Sequence, residues 1–283
     1  MRILTLFVRH GTTKYGDALA QLEGFYRRRL PSVAHQTLII DNAPDATARP
    51  EAGVEVVQGS NRAWEFSAWD EGLAHLGRKV RGYDLVHLAT SAFGELYTRY
   101  IERFDEPLLE QVAGRGAAVG HIDYYGEPVQ VLGYDGQSWM RSSFLFVPPA
   151  ELATLGSLVS IQDRTLFFSG DPQAPFHPEA PLSEQYQRYI HDWLTGAGTG
   201  QGVTWHSRFE LDAKTLPFYE NKALAMLNEQ LLAIRLRRQG CELVDTTWLA
   251  TELARRRQSR EKLLFPHWRV QLAQRDTDAV PRR

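Results

Sequence analysis

Polar residues follow three apolar segments in the first third of the chain, at the points where β-strands would end. The pairs are Asp41-Asn42, Ser60-Asn61 and Thr90-Ser91. In an open α/β sheet, ligands bind beyond the carboxyl ends of the parallel strands. The spacing therefore predicts a pocket for a polar ligand at one edge of a sheet.

The elements that must position these pairs alternate between strand and helix. Strands are predicted over 1–10, 36–40, 54–58 and 84–89, with helices over 17–29 and 63–76 between them. Leu19, Leu22, Tyr26 and Leu30 recur at helical spacing, and Pro31 ends that helix. Such alternation implies right-handed crossovers and a mostly parallel sheet between two helical layers.

The rest of the chain carries weaker signals. The pattern predicts a helix over 94–112, and short strands over 117–122, 129–132 and 143–147 as the second half of the sheet. Two helices are predicted over 183–194 and 221–239. The Gly-rich run 196–202 between them lacks the Lys-Ser/Thr of a nucleoside-triphosphate loop, so it receives no phosphate role.

Composition indicates an ordinary globular protein. Of the 283 residues, 43% are hydrophobic and 23% are charged, and no apolar run reaches the roughly 20 residues that span a bilayer. The single cysteine, Cys241, excludes an internal disulfide. The N-terminus predicts a strand rather than a signal peptide, so we expect a cytoplasmic protein.

The charge is unevenly distributed. Residues 255–283 hold nine Lys and Arg residues and three acids, a net +6; since the whole chain is −2, the remainder carries −8. This basic tail, which also contains Leu264, Phe265 and Trp268, would suit an anionic membrane surface. The alternative is a solvated chain end. The acidic body argues against nucleic-acid binding.

The ordered series of segments resembles GT-A glycosyltransferases, specifically bacterial family-2-like enzymes that build surface polysaccharides. The resemblance covers about residues 3–249. Glu65–Gly72 resembles the helix motif of a subgroup related to rhamnan-synthesis transferases, 139–144 its mid-chain strand, and 228–240 its late helix. The family implies a GT-A α/β/α domain over residues 1–250, followed by the basic tail over 251–283.

The resemblance also implies roles for individual residues. Asp41 matches the acid that binds the nucleotide base or ribose, and Asn61 matches an Asn that opens a helix. The donor side further includes Arg9, His10, Asn42, Glu65, Asp70, Thr90, Ser91 and Arg141. Trp205, His206 and Lys222 fall on the side of the glycan or lipid-linked acceptor.

An inverting transfer needs a carboxylate that takes the proton of the attacking acceptor hydroxyl. Glu229 matches the family's general base best, and Glu220 is the second candidate. Each assignment has a structural alternative. Glu229 would pair with a nearby Arg, Glu220 would complement a helix dipole, Asp41 would form a turn, and Asn61 would cap a helix.

The chain departs from the family at the metal. Strand four normally ends in Asp-x-Asp, which holds Mg²⁺ or Mn²⁺ against the sugar diphosphate, and Ala89-Thr90-Ser91 stands there instead. Either another acid binds the cation, or the enzyme is metal-independent. In the second case Arg9, Lys14 and Arg141 are candidates to offset the phosphate charge.

Two other functions stay open. Arg9-His10-Gly11 directly after strand one is also how histidine phosphatases of the phosphoglycerate mutase type begin, with His10 as the phosphorylated residue. That family needs a second His after a late strand, and His121 continues as Ile122-Asp123 instead. The missing Asp-x-Asp also permits a non-catalytic GT-A binding module.

Overall fold

The strands in the described residues of this protein fall into two sheets, as a computed structural model of the chain shows. The structure describes residues 1–43, 53–95, 98–196, 210–256 and 263–275. The chain divides into two compact units. Unit 1 comprises Met1–Asp123, Met140–Leu158 and Arg235–Arg283, and unit 2 comprises Tyr124–Trp139 and Val159–Ile234.

Nine strands lie in the described part of the chain. They are β1 (Arg2–Arg9), β2 (Ala34–Asp41), β3 (Glu55–Gln58), β4 (Leu85–Thr90), β5 (Ala117–Gly120), β6 (Ile122–Val131), β7 (Tyr134–Met140), β8 (Phe144–Val147) and β9 (Glu242–Asp245). Seven form one sheet in the order β3-β2-β1-β4-β8-β5-β9, and β6 pairs with β7. Within the large sheet β8 runs antiparallel to β4 and β5, and the remaining pairings are parallel.

Eight α-helices accompany these strands in the described residues. They are α1 (Ala18–Arg29), α2 (Trp64–Leu76), α3 (Glu106–Val112), α4 (Pro149–Leu155), α5 (Glu184–Thr195), α6 (Leu216–Arg238), α7 (Thr246–Arg255) and α8 (Trp268–Gln274). This mixed α/β architecture, with helices flanking a mostly parallel sheet, is the predicted fold class and is consistent with a GT-A Rossmann-like fold.

Both faces of the large sheet are covered. Odd-numbered residues of β1, such as Ile3 and Phe7, join one core cluster with residues of α1, α3 and α7. The other face packs against α2, where the Trp69 indole donates to the carbonyl of Leu6 across 3.1 Å. A Cβ at Gly72 would lie 3.0 Å from Ile40, so a glycine lets α2 approach the sheet closely.

The last described segment packs on unit 1. Gln271 of α8 is buried, accepting from the Asp245 N–H across 2.7 Å and donating to the Leu243 carbonyl across 3.1 Å. Leu263 is buried, whereas its neighbour Leu264 is 81% exposed. The sequence suggested that residues 251–283 form a tail. Part of this segment, helix α8, is instead folded and contacts strand β9.

Unit 2 has a core of its own. The β6–β7 hairpin packs with α5 and α6 around buried aromatic residues such as Tyr186 and Tyr219. Ser183 caps α5 by accepting from the Tyr186 N–H, and Gly196 ends the helix in a left-handed conformation. Among the described residues of both units, none of the helices has the length and apolar character that crossing a membrane requires.

Two predicted elements are wrong. The predicted helix over 94–112 is instead a 3₁₀ helix over Arg99–Arg103 followed by α3, because Asp105 caps a new helix and Pro107 stands in its first turn. The predicted strand over 129–132 belongs to β6 in the small sheet rather than to the large one.

Candidate functional site

The strand order reverses between β1 and β4. From β1 the chain proceeds outward to β2 and β3, and then returns to add β4 on the other side of β1. At the carboxyl edge Arg9 stands beside Asp41, and Val8 stands beside Thr90. A topological switch point of this kind is where open α/β sheets bind ligands. The predicted polar edge is thus built by neighbouring strands.

Asp41 is the best-held acid at this edge. It is 3% exposed, and its Oδ1 accepts the N–H groups of Gly11 and Ala43 at 2.9 and 3.0 Å. Its Oδ2 accepts from Arg9 Nε at 2.7 Å. Burial opposes ionisation, but these donors outweigh it and hold the pKa of Asp41 below its ordinary value. The predicted contact of Asp41 with a nucleoside stays a prediction.

The loop before α2 has an unusual backbone. Asn61 and Trp64 have φ values of 55° and 52°, in the left-handed region that costs a bulky side chain most. Asn42 Nδ2 donates to the Trp64 carbonyl across 3.1 Å. Asn42 Oδ1 is buried and accepts no hydrogen bond from the described residues. Because Ala63 is the N-cap of α2, Asn61 does not cap it.

Two acids of α2 bind different parts of unit 1. Glu65 accepts from Ser142 Oγ across 3.1 Å, close to the start of β8. Asp70 accepts from Ser157 Oγ at 2.5 Å and from the Leu158 N–H at 2.7 Å. Asp70 therefore ties α2 to the segment after α4, while Glu65 lies toward the carboxyl edge.

The end of β4 offers hydroxyl groups. The Ser91 N–H donates to the Val8 carbonyl at 2.8 Å, and the Thr90 N–H donates to the Ser143 carbonyl at 3.1 Å. No group of three or more His, Cys, Asp or Glu side chains suited to a metal occurs in the described ranges. Hard divalent cations prefer carboxylate oxygens, and the end of β4 carries hydroxyl groups instead.

His10 ends the β1 segment with an exposed side chain. Its neighbour Arg9 directs Nε at Asp41. Lys14 places Nζ 5.0 Å from the ring centre of Tyr15. The Arg9 and His10 side chains are thus in different environments, the first ion-paired and the second in solvent.

A second polar cluster lies where β5 and β9 end. Arg141 Nε donates to Asp123 Oδ2 at 2.5 Å, and His121 Nε2 lies 3.3 Å from Asp123 Oδ1. Asp245, at the end of β9, is fully buried and lies 3.3 Å from Arg275. Sequence reasoning named only Arg141 among these residues as a site residue. The available signal was His121 directly after a buried strand.

The predicted base candidates belong to unit 2. Glu220 Oε2 accepts from Arg164 Nη2 at 2.5 Å, and its side chain is 13% exposed. Glu229 is half-buried on α6, and its charge adds to burial in raising the pKa of Tyr186. Lys222 Nζ lies 5.6 Å from the ring centre of Phe218. The predicted acceptor residues Trp205 and His206 lie outside the described residues.

Comparison with known proteins gives little beyond this geometry. No protein-family model matches the chain. No curated protein sequence matches it either. Among solved structures it is similar to mannosyltransferase PcManGT from Pyrobaculum calidifontis in complex with GDP-Man and Mn²⁺. That similarity has 10% identity and a TM-score of 0.36, and it covers 83% of this chain and 73% of the other.

Proposed function

We propose that this protein is a glycosyltransferase that moves a sugar from a nucleotide-sugar donor to a glycan or lipid-linked acceptor. The observation that carries the proposal is the polar carboxyl edge at the β1–β4 switch point, where Arg9, Asp41 and Thr90 stand on adjacent strands. The likeness of the ordered sequence segments to GT-A enzymes adds to it.

The donor would lie along this edge. Asp41, Asn42 and Asn61 would hold the nucleoside, with Glu65 and Asp70 on the neighbouring helix. Thr90 and Ser91 would contact the diphosphate through their hydroxyl groups. Arg9, His10 and Arg141 would supply positive charge, since arginine can bind phosphate with two parallel hydrogen bonds.

Glu229 would be the general base, with Glu220 as the second candidate. As the acceptor hydroxyl attacks the anomeric carbon, the carboxylate takes its proton and the nucleoside diphosphate leaves with the bonding electrons of the broken C–O bond. Trp205, His206 and Lys222 would contact the acceptor. The ion pair of Glu220 with Arg164 favours a structural part for Glu220.

The proposal is for an enzyme of bacterial surface polysaccharide synthesis in the cytoplasm. Residues 1–250 would form the transferase domain, and the basic residues of 251–283 would dock it to an anionic membrane surface near a lipid-linked acceptor. At the end of β4, Thr90 and Ser91 stand where GT-A enzymes carry the metal-binding Asp-x-Asp. This difference supports a reaction in which protein cations, rather than a metal ion, offset the diphosphate charge.

A turnover assay tests the proposal. The full chain is incubated with a panel of nucleotide-sugars, with EDTA or with Mn²⁺, and release of nucleoside diphosphate is measured with and without glycan acceptors. Release from one donor supports the proposal. Saturable donor binding without any transfer or hydrolysis would favour the non-catalytic module. Hydrolysis of a simple phosphate ester without any donor use would favour the His10 phosphatase.

A further inference from the structure

Five charged or titratable residues of unit 1 follow one another from the C-terminal segment to the carboxyl edge of the sheet: Arg275, Asp245, His121, Asp123 and Arg141. We call them the charge chain. We infer that Arg275 is a positioning residue that holds Arg141 in place through this chain. The inference rests on the proposed function, in which Arg141 contacts the donor diphosphate.

The first link is a clamp on one residue of the backbone. Asp245 Oδ2 accepts the N–H of Ile122 at 3.0 Å. Arg275 Nη1 lies 3.3 Å from the same carboxylate oxygen and donates to the Ile122 carbonyl across 3.2 Å. Both the N–H group and the carbonyl group of Ile122 are thus held by hydrogen bonds. Ile122 is the residue between His121 and Asp123 in the chain.

The clamp itself is anchored in the core. Asp245 is fully buried, and its Oδ1 caps α7 by accepting the Trp248 N–H at 3.0 Å. Its own N–H donates to Gln271 of α8. Because Asp245 keeps backbone donors from two directions, it stays partnered when Arg275 is removed. Substitution of Arg275 should therefore loosen the clamp while the Asp245 carboxylate keeps its two backbone hydrogen bonds.

The second link is His121. Its Nε2 lies 3.3 Å from Asp123 Oδ1, while its Nδ1 faces Asp245 Oδ2 at 3.8 Å, too long for a hydrogen bond. The ring of Tyr100 stacks on the imidazole with centroids 5.0 Å apart. The imidazole is therefore oriented between two carboxylates by the stacked Tyr100 ring and by its contact with Asp123.

The third link joins Asp123 to Arg141. Besides the 2.5 Å side-chain contact, the Arg141 N–H donates to the His121 carbonyl at 3.0 Å. Burial opposes ionisation of Asp123, but His121 and Arg141 outweigh it and hold the pKa of Asp123 below its ordinary value. Arg141 thus has a carboxylate partner that fixes the direction of its guanidinium group.

Exposure differs between the members of the charge chain. The side chain of Asp245 is 0% exposed, whereas those of Asp123 and Arg141 are 27% and 19% exposed. Arg141 also precedes β8 closely, and the Ser143 carbonyl there accepts the Thr90 N–H. Arg141 is therefore two residues along the chain from the Ser143 carbonyl that contacts Thr90, one of the predicted diphosphate contacts.

The positioning can be measured without any ligand. The Arg141 Nε–H resonance, identified by its loss in Arg141→Lys, reports the hydrogen bond to Asp123 in NMR spectra. Arg275→Ala should shift or broaden this resonance, and Arg269→Ala, an exposed change on α8, should not. If Arg275→Ala fails to fold, Arg275→Lys takes its place, since lysine keeps the charge but loses the planar fork. An unchanged resonance in the folded variant overturns the inference.

Donor binding separates this inference from the proposed function. Arg141→Ala should weaken binding of the nucleoside diphosphate about tenfold or more, as expected for a charged hydrogen bond. Arg275→Ala should weaken it severalfold in the native background, yet by less than about twofold when Arg141 is already alanine. Equal losses in both backgrounds overturn the inference. Wild-type protein that binds no nucleotide rejects the proposed function, and the resonance then decides the positioning alone.

Discussion

Arg9 Nε donates to Asp41 Oδ2 across 2.7 Å and so joins the carboxyl ends of β1 and β2 beside the switch point. The same carboxylate accepts two backbone N–H groups from the loops that follow these strands. One buried carboxylate thereby holds the first residues after both strands, Gly11 and Ala43 among them.

Asp41→Asn should destabilise unit 1. Both carboxylate oxygens of Asp41 accept hydrogen bonds, whereas the side-chain NH₂ group of asparagine can only donate. This NH₂ group would face either Arg9 or the backbone N–H donors, which we expect to lower the free energy of unfolding by about 2–3 kcal/mol. Because the pKa of Asp41 is lowered in the folded state, its contribution is complete above the ordinary value of 3.8 and is lost as pH falls below it. Urea unfolding at pH 7 and pH 3 measures both effects. Asp17→Asn, an exposed change, is the control, and equal stability of the two variants would contradict the account.

His87 should make the protein sensitive to mild acid. It is fully buried in β4, its Nδ1 lies 3.0 Å from Tyr26 Oη, and burial together with nearby His35 holds its pKa well below 6.5. Below about pH 6.5, His87 is therefore protonated in the unfolded chain but stays neutral in the folded chain. The free energy of unfolding consequently declines as the pH falls below this value.

In His87→Phe this slope should shrink by up to about 1.4 kcal/mol per pH unit, the value for one proton. Unfolding free energies at several pH values between 7 and 5 measure it. A His87→Phe slope equal to that of the native chain would show that His87 does not titrate differently on folding.

Glu229→Gln should lower turnover by at least ~10²-fold, the low end for loss of a general base. Glu220→Gln should instead lower thermal stability, because it breaks the contact with Arg164. Glu184→Gln, an exposed change in the first turn of α5, is the matched control. Steady-state kinetics with the donor found in the panel gives the answer. Full activity of Glu229→Gln would reject this residue as the base.

Membrane docking should depend on individual side chains of the basic segment. Leu264 is 81% exposed and neighbours the sequence positions Arg257, Arg260 and Lys262. Leu264→Glu should reduce sedimentation with phosphatidylserine vesicles severalfold at low salt, because it adds a negative charge and removes an apolar contact. Leu166→Glu changes another exposed leucine, at 54%, and should have no effect. Point variants are preferable to truncation, since Leu263 and Gln271 pack on unit 1. Equal binding of both variants would exclude docking through this segment.

The sequence predicted the first half of the fold well, for a physical reason. Runs such as Thr37–Ile40 are β-branched or apolar throughout, as strands buried on both faces require, and turn residues separate them from amphipathic helices. The late elements β9, α7 and α8, of four, ten and seven residues, escaped prediction. Their basic neighbours also suggested a tail.

The candidate site could likewise be predicted only in part from the sequence. Strand ends are local features, so Asp41 and Thr90 could be identified from spacing alone. The partnership of Asp123 with Arg141 depends on the β6–β7 hairpin returning the chain to β5, and that of Asp245 with Arg275 depends on α8 folding back. Contacts of this kind arise from tertiary packing and leave no periodic signal in the sequence.

The most direct test of the central claim is nucleotide binding at the β1–β4 switch point. A thermal-shift screen of nucleoside diphosphates and nucleotide-sugars is run with EDTA and with Mn²⁺, on the native chain and on Arg141→Ala. We predict that one nucleotide class stabilises the native chain in EDTA, by about 2.7 kcal/mol at 100 times its dissociation constant, and stabilises Arg141→Ala less. No stabilisation by any nucleotide in either condition would contradict the account.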